Sequence, residues 1–447
     1  MDFYAVKDKL VQAAKDAGLE EYEIYFMESD GISAETLKGE ISSFTSETSG
    51  GICFRCIIDG HFGSAATELF AEEEMKALVS RAIDNAKIIE NEDKAVIYSG
   101  AEKYEELKLP PIANESAAQM KSVTLDLLEK TNKQSEYIAE STQTGAMRSK
   151  VRIELINSSG LHLSNTVGCS VSFVQAVVEK DGESQYGIAM ESGLFGEKVE
   201  AMPAKATEEA LEKIGAGQIA SGKYDVVVSS EAMRNLLATF SSVFSGRQVN
   251  LGLSLLKGKE GEKVAADCVT LVDDPLYENS PMQTAFDGEG VPTYTKNVIE
   301  NGELKTFLYD IASADKAGKE STGNGQRGSY SSPVGIAPYH FYIKGGEISD
   351  EQLFERLDNG LYITELKGLH SGANAVTGDF SLECFGFKVS NGKKCEAVSS
   401  FTVAGNFFEL IKNIEALSDN VKFGLTTGFT VFGAPNTLIR GMSIAGT

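Results

Sequence analysis

Along the first half of the chain, apolar positions switch between a three-and-four spacing and a strict alternation, and the switch occurs twice in the same order. Residues 6–17 carry helical spacing and 21–26 form an extended run. Residues 41–45, 51–58 and 61–66 alternate like strands, with Asp59-Gly60 as a hairpin turn. A helix is predicted over 72–89, where Met75, Leu78, Val79, Ala82, Ile83 and Ala86 form one buried stripe. The pattern then restarts with a helix over 116–130 and strands over 151–156, 170–178 and 184–190, with Asp181-Gly182 at the turn. Pro203 is expected to open the closing helix, which ends around Gly215. The half thus reads as a duplication of a unit of helix, three strands and helix.

L-P-P-I-A-N at 109–114 separates the copies, because consecutive prolines favour extended chain and block helix. Glycines at 215, 217 and 222 mark a second boundary. Beyond it, Tyr224-Asp-Val-Val-Val228 is a short apolar strand, and Ser229-Ser230-Glu231 supply an N-cap and an early acid for a helix. Met233, Leu236, Leu237, Phe240, Val243 and Phe244 form its buried face until Gly246 stops it. A further helix is expected near 350–357, and otherwise the segment is strands and glycine-rich turns. The expected class is α+β: a duplicated helix-three-strand-helix N-terminal region followed by a β-rich C-terminal domain, with domains at 1–108, 109–220 and 221–447.

With 42% hydrophobic residues over 447 positions, the chain can bury a large core. No long apolar run occurs, and the start, Met1-Asp-Phe-Tyr-Ala-Val-Lys7, lacks the basic and apolar segments of a signal peptide. The six cysteines (53, 56, 169, 268, 384, 395) have no disulfide-framework spacing, so a cytoplasmic protein is expected. Sixty-five acids against 41 bases leave a charge of −24, a field that repels nucleic-acid phosphates. Neither a nucleic acid nor a membrane is expected as partner.

Three motifs invite overreading. Gly323-Asn-Gly-Gln-Arg-Gly328 satisfies G-x-G-x-x-G, but a dinucleotide fingerprint needs a buried strand before it and a helix after it, and two prolines follow by 338. Cys53-Phe-Arg-Cys56 lies in an apparent strand, where residues three apart point to opposite faces, so the thiols do not converge. Gly441-Met-Ser-Ile-Ala445 reads as a strand rather than the strained turn of a nucleophile elbow.

Several motifs occur in a definite order: the strand and helix from Tyr224, V-T-L-V-D-D-P at 269–275, F-D-G-E-G-V-P-T at 286–293, a strand pair through Asn301-Gly302, and S-T-G-N-G-Q-R-G at 321–328. G-A-N-A-V-T-G-D-F-S at 372–381, F-T-V-A-G-N at 401–406 and the segment 433–447 continue the series. This set resembles the TldD/PmbA family across essentially the whole chain. The resemblance implies peptide maturation and proteolysis; its members have also been labelled modulators of DNA gyrase. In the TldD branch a helix reading L-L-H-E-x-x-x-H gives two imidazoles to zinc and a glutamate as general base, with a cysteine near the C-terminus as a further ligand. Here the frame reads Leu236-Leu237-Ala238-Thr239-Phe240-Ser241-Ser242-Val243. Ala238 and Val243 fall where the histidines stand and Thr239 where the glutamate stands, and no cysteine follows Cys395. Zinc needs nitrogen, sulfur or carboxylate donors at about 2.0–2.3 Å, which methyl and isopropyl groups do not offer. The pattern therefore resembles the zinc-free PmbA branch, also called TldE.

What that implies is a zinc-free subunit of a heteromeric metallopeptidase. It would pair with a TldD-type, zinc-bearing paralogue as a heterodimer, or with itself when isolated, and would shape a chamber that holds unfolded peptide, with strand addition to a sheet edge as one mode. No cofactor is expected in this chain, and zinc is expected in the partner. Asn324 and Arg327, in a glycine-rich loop, read either as a turn or as a wall of a peptide channel where Arg327 holds a carboxylate. Asn374, Thr377 and Asp379 read either as an Asx-type turn or as a substrate or dimer contact. Two other functions remain open. One is a stand-alone homodimeric peptide-binding or modulator protein without hydrolytic activity. The other is a peptidase with its own site, for which Asp273, Asp274, Asp287 and Asp379 supply carboxylates that no spacing pairs.

Overall fold

The computed structural model describes residues 2–89, 95–426 and 428–446. Its first half runs α1 (Phe3–Asp16), β1 (Tyr22–Leu37), β2 (Glu40–Ile58), β3 (His61–Thr67) and α2 (Glu72–Lys87). The second copy follows as α3 (Ala117–Asn132), β4 (Gln143–Asn157), β5 (His162–Lys180), β6 (Glu183–Ser192) and α4 (Glu197–Glu212). Both copies contribute to one antiparallel sheet in the order β3-β2-β1-β4-β5-β6, with β1 and β4 side by side about a pseudo-two-fold. Asp59 and Asp181 both take positive φ at the two hairpin turns, as Asp-Gly turns require.

The duplication extends to packing. Gly63 on β3 lies so close to α2 that a Cβ there would overlap the Ala82 carbonyl, and Gly187 on β6 stands in the same relation to Ala206 of α4. In each copy a missing side chain lets a helix backbone settle on the outer strand. Gly187→Ala should therefore cost about 1–3 kcal/mol through overpacking, read as a lower urea midpoint with an unchanged slope.

Three expectations need correction. The strands expected at 41–45 and 51–58 are one strand, β2, and the 21–26 run continues to Leu37. Residues 42–49 are exposed on both faces, and 46–50, Ser-Glu-Thr-Ser-Gly, carry no apolar alternation that would join the two expected strands. Pro203 does not open α4, which starts at Glu197 after Gly196. Buried Val199, Met202, Ala206 and Ala210 carry the helix past the missing N–H, with the Thr207 hydroxyl donating to the Pro203 carbonyl at 2.8 Å. The third concerns Gly246, which begins a helix rather than stopping one.

The second half begins with β7 (Gly222–Val228) and α5 (Ser230–Phe240), capped by Ser229, whose Oγ accepts from the Ala232 amide at 3.1 Å. A 3₁₀ turn over Ser241–Phe244 and α6 (Gly246–Asn250) replace the expected continuous helix. Then come β8 (Leu271–Asp273), β9 (Lys296–Glu300), β10 (Glu303–Leu304), α7 (Ile311–Ala317), β11 (Gly325–Gln326), β12 (Gly335–Ile336) and β13 (His340–Ile343). The remainder is α8 (Asp350–Leu357), β14 (Gly360–Lys367), α9 (Leu369–Gly372), β15 (Asp379–Ser390), β16 (Lys393–Asn406) and α10 (Phe407–Lys412). It ends with β17 (Ile414–Leu417), β18 (Lys422–Phe423), β19 (Val431–Ala434) and β20 (Thr437–Ala445).

Strands β16-β15-β14-β7-β20 close into a barrel, because β16 also pairs with β20. A second sheet, β10-β9-β8-β13-β19-β18, shares its core, with Phe240, Phe244, Phe341, Phe401 and Phe407 all buried. With 24% helix and 40% strand, the class is α+β with a β-rich C-terminal region. Helices cover one face of the N-terminal sheet, burying Phe26, Phe54 and Cys56. Tyr25, Cys53 and Leu155 lie on the other face, so the two thiols of C-x-x-C do point apart. That second face meets the C-terminal half.

Candidate functional site

An acid in the middle of the apolar strand Tyr22-Glu-Ile-Tyr-Phe organises the junction. Glu23 is 1% exposed and pairs with Arg55 of β2 at 3.0 Å and with Arg327 from the far half. Arg327 is itself buried, donates from Nε to the Gly288 carbonyl at 2.9 Å, and lies over the Tyr25 ring at 4.4 Å. Burial opposes ionisation of Glu23, but the two guanidiniums outweigh it and hold its carboxyl below the ordinary value. The carboxylate that Arg327 holds is thus one from its own chain.

Beside it, the D-G-E-G loop brings two further acids inside. Asp287 accepts from the amides of Glu289, Val291 and Gly325 at 2.8, 3.0 and 2.9 Å. Glu289 accepts from the Ile311 amide at 2.9 Å. A Cβ on Gly325 would stand 2.8 Å from a Glu289 oxygen and 3.1 Å from one of Asp287, so only glycine fits between the carboxyls. Burial, and next the nearby Glu289, push Asp287 up to about 8. Glu289 is raised as well, by burial above all.

Asn324 is fully buried a few residues away. Its amide donates to Asp273 at 2.7 Å and to the Ala337 carbonyl at 3.1 Å, and its oxygen accepts from the Thr322 hydroxyl at 2.7 Å and from Lys296 at 3.3 Å. Asp273 also pairs with Lys296 at 3.1 Å and accepts from the Tyr339 amide at 2.7 Å. Asp274 accepts from the Leu276 amide and the Thr295 hydroxyl, capping a turn. Asn374 forms an Asx turn, its side-chain oxygen accepting from Val376 and Thr377 amides at 2.9 and 3.2 Å, and Asp379 accepts from Asn406 at 2.9 Å. The structure brings Arg327 into the junction, keeps Asn324 within the C-terminal half among Asp273, Lys296 and Ala337, and leaves Asn374 and Asp379 on an exposed turn of the barrel.

The junction holds a half-open cavity of about 550 Å³. Met27, Val151 and Val167 line it from the N-terminal sheet, and Met282, Ile336 and Phe429 from the other half. Gln326, Arg327, Cys169 and Thr430 add polar groups to its wall. The lining is mostly apolar with few polar groups, and the size is that of a ligand site.

Ala238 opens onto a second cavity of about 350 Å³, lined also by Ser241, Ser242 and Ser245. Both cavities share Ile336, Ala337 and Thr430 as a common wall. The Thr239 hydroxyl is turned back onto the Asn235 carbonyl at 2.8 Å, and Val243 is buried in the core. The donor set does not fit zinc: methyl, hydroxyl and isopropyl groups stand in the slot, and no group of three or more His, Cys, Asp or Glu among the described residues is arranged to hold a metal ion.

Residues 221–446 match the family model described as the PmbA/TldA metallopeptidase C-terminal domain, and 22–86 the one described as domain 1. The chain belongs to the PmbA/TldD family. An uncharacterized protein of Methanocaldococcus jannaschii is 30% identical over 92% of this chain and 94% of its own length. Metalloprotease PmbA of Escherichia coli O157:H7 is 24% identical over 90% and 88%. A Thermotoga maritima protein described as a modulator of a DNA gyrase superposes with a TM-score of 0.89 at 29% identity, covering 99% of this chain and 100% of that one. TldE from Thermococcus kodakarensis shares the fold, with a TM-score of 0.89 at 23% identity over 99% and 100%. Among the described residues no helix is long and apolar enough to cross a membrane.

Within this PmbA/TldD chain, Glu23, Tyr25 and Glu289 are the site residues that the sequence motifs did not single out, while Asp287 was named there only as a carboxylate without a pair. An acid inside an apolar strand and two acids alternating with glycines were the available signals.

Proposed function

We propose that this chain is the zinc-free subunit of a heteromeric PmbA/TldD-type metallopeptidase, shaping the chamber and holding unfolded peptide for proteolysis or peptide maturation by a TldD-type partner. The observation that carries the reading is the slot at Ala238, Thr239 and Val243, which has neither metal donors nor a base. The apolar 550 Å³ cavity that shares a wall with this slot supports the holding role. Positioning is then the contribution: an extended peptide held across that wall loses its freedom before it reaches the partner's zinc. The reading puts the complex in the cytoplasm, where the six free thiols stay reduced.

The test is cleavage of an unstructured peptide by this chain alone, by a TldD-type chain from the same genome alone, and by the mixture. Activity is expected in the mixture only, unchanged by Thr239→Ala here and abolished when the partner's metal-site glutamate is replaced. Hydrolysis by this chain alone would sink the proposal. Cys169→Trp, which puts an indole into the cavity from β5, should raise KM of the mixture about tenfold with little change in kcat, since ground-state holding is what it removes.

A further inference from the structure

The two copies of the N-terminal unit differ in how they treat one sheet edge. In each, the middle strand outruns the outer one: β3 pairs with Ile52 to Ile58 of β2, and β6 with Val171 to Lys180 of β5. The overhang of β5 is covered by the chain itself. The Ser170 hydroxyl donates to Glu115 at 2.7 Å, Asn165 donates to the Gln283 carbonyl at 3.1 Å, and Ile112 packs against Gly168. The overhang of β2, residues 40–51, has β1 on one side and, among the described residues, no strand on the other.

Exposed strand edges are normally blunted by lysine, proline, a bulge or a covering segment. From Ser43 to Gly51 the register with β1 runs without a bulge, and S-F-T-S-E-T-S-G-G contains no proline, lysine or arginine. Residues 42–49 are exposed on both faces, so the stretch offers a bare row of amides and carbonyls flanked by small hydroxyl side chains. Such an edge bonds to a polypeptide backbone with little regard to its side chains.

Charge selects among possible strands. From Glu28 to Gly50 the hairpin carries Glu28, Asp30, Glu35, Glu40 and Glu47 against Lys38 alone. Arg152 and Arg148 of β4 pair with Glu28 and Asp30, and Lys121 sits over Phe44 on the helix side. Glu40 and Glu47 are exposed and Glu35 half-buried on the hairpin, and none of the three forms an ion pair among the described residues. A second copy of the same edge would bring like charges together, whereas a basic extended chain would be attracted.

We infer that the overhanging edge of β2, residues 43–49, is a strand-addition site for an unfolded, basic segment of another polypeptide. This rests on the peptide-holding role proposed above and adds where the backbone is gripped and which charge is preferred. The site is separate from the 550 Å³ cavity, whose walls come from β1, β4, β5 and the C-terminal half.

Hydrogen exchange on the full chain tests it, using an unstructured peptide of lysine, serine, threonine and valine, its glutamate-for-lysine counterpart, and an analogue N-methylated at alternate residues. Amides within 43–49 should gain protection with the lysine peptide, the glutamate peptide should bind at least about tenfold more weakly, and the N-methylated one should give no protection. Thr45→Pro and Ser46→Pro separate edge from fold: successive amides point to opposite sides, so one variant removes an outward N–H and leaves the ladder to β1 intact. That variant should keep the native urea midpoint and lose peptide protection. Protection confined to the cavity walls near Cys169 and Thr430 would overturn the assignment. So would protection of 43–49 that rises with protein concentration in the absence of peptide, which would make a second copy the occupant. Because no hydrolysis is involved, failure of the mixed-subunit cleavage assay would leave this result standing.

Discussion

Glu23→Ala is expected to cost the folded protein about 3–5 kcal/mol, the range seen when one partner of a buried ion pair is removed. The magnitude follows from what the substitution leaves behind. Arg55 and Arg327 share one carboxylate that is almost wholly out of water, and Arg55 Nε is already buried without a hydrogen-bond partner. Without Glu23, two guanidiniums stay in a low-dielectric junction with the Gly288 carbonyl as the remaining acceptor for one of them. Arg327→Met should cost less, because Glu23 keeps Arg55. Since the cluster joins the N-terminal sheet to the C-terminal half, Glu23→Ala should also split the urea transition into two steps, visible as non-coincident far-ultraviolet and tyrosine signals. A loss below about 1 kcal/mol with a single transition would mean that water reaches the cluster.

The second large effect is on pH. Asp287 has a folded-state pKa raised from 3.8 to about 8, burial first and Glu289 second, so the folded protein binds protons there that the unfolded chain has released. Stability from this source is full below the ordinary carboxyl range and is lost as pH rises toward 8. The urea midpoint should therefore fall between about pH 4 and pH 8, and Asp287→Asn should flatten that decline, at the cost of one acceptor for the Gly325 amide. Glu23 acts in the opposite sense and in a lower window, since its depressed carboxyl loses its contribution only as pH drops through the acid range. A flat profile from pH 5 to pH 8 in the native protein, identical in Asp287→Asn, would show that both carboxyls of the D-G-E-G loop ionise freely.

Much of the architecture was legible because local chemistry agreed with the global fold. Asp59-Gly60 and Asp181-Gly182 announced their hairpins, Ser229 its helix, and the repeated switch of periodicity the duplication. The continuity of β2 through residues 46–50 was not, because a stretch of Ser, Glu, Thr and Gly has no apolar alternation to join the strand expected at 41–45 to the one at 51–58. Pro203 misled because burial of neighbouring side chains outweighed a local preference. Arg327 could be picked out as a cation in a glycine-rich loop, but the carboxylate it meets lies 304 positions away, and no spacing rule reaches that far. Closure of the barrel was hidden for the same reason, since β20 returns to lie between β7 and β16.

The shared N-terminal sheet also has a history during synthesis. β1 is an inner strand whose second neighbour is β4, so Glu23 waits for Asn157 and Glu35 for Gly145 before the register between them can close. Until then the first copy is a three-stranded sheet with the Tyr22-Glu-Ile-Tyr-Phe edge open, a stretch well suited to pairing with another nascent chain. Loops this long make the nucleus slow to form. The interval between emergence of β1 and emergence of β4 from the ribosome is therefore when this protein most needs a chaperone, and translational pausing across 110–145 should lengthen it.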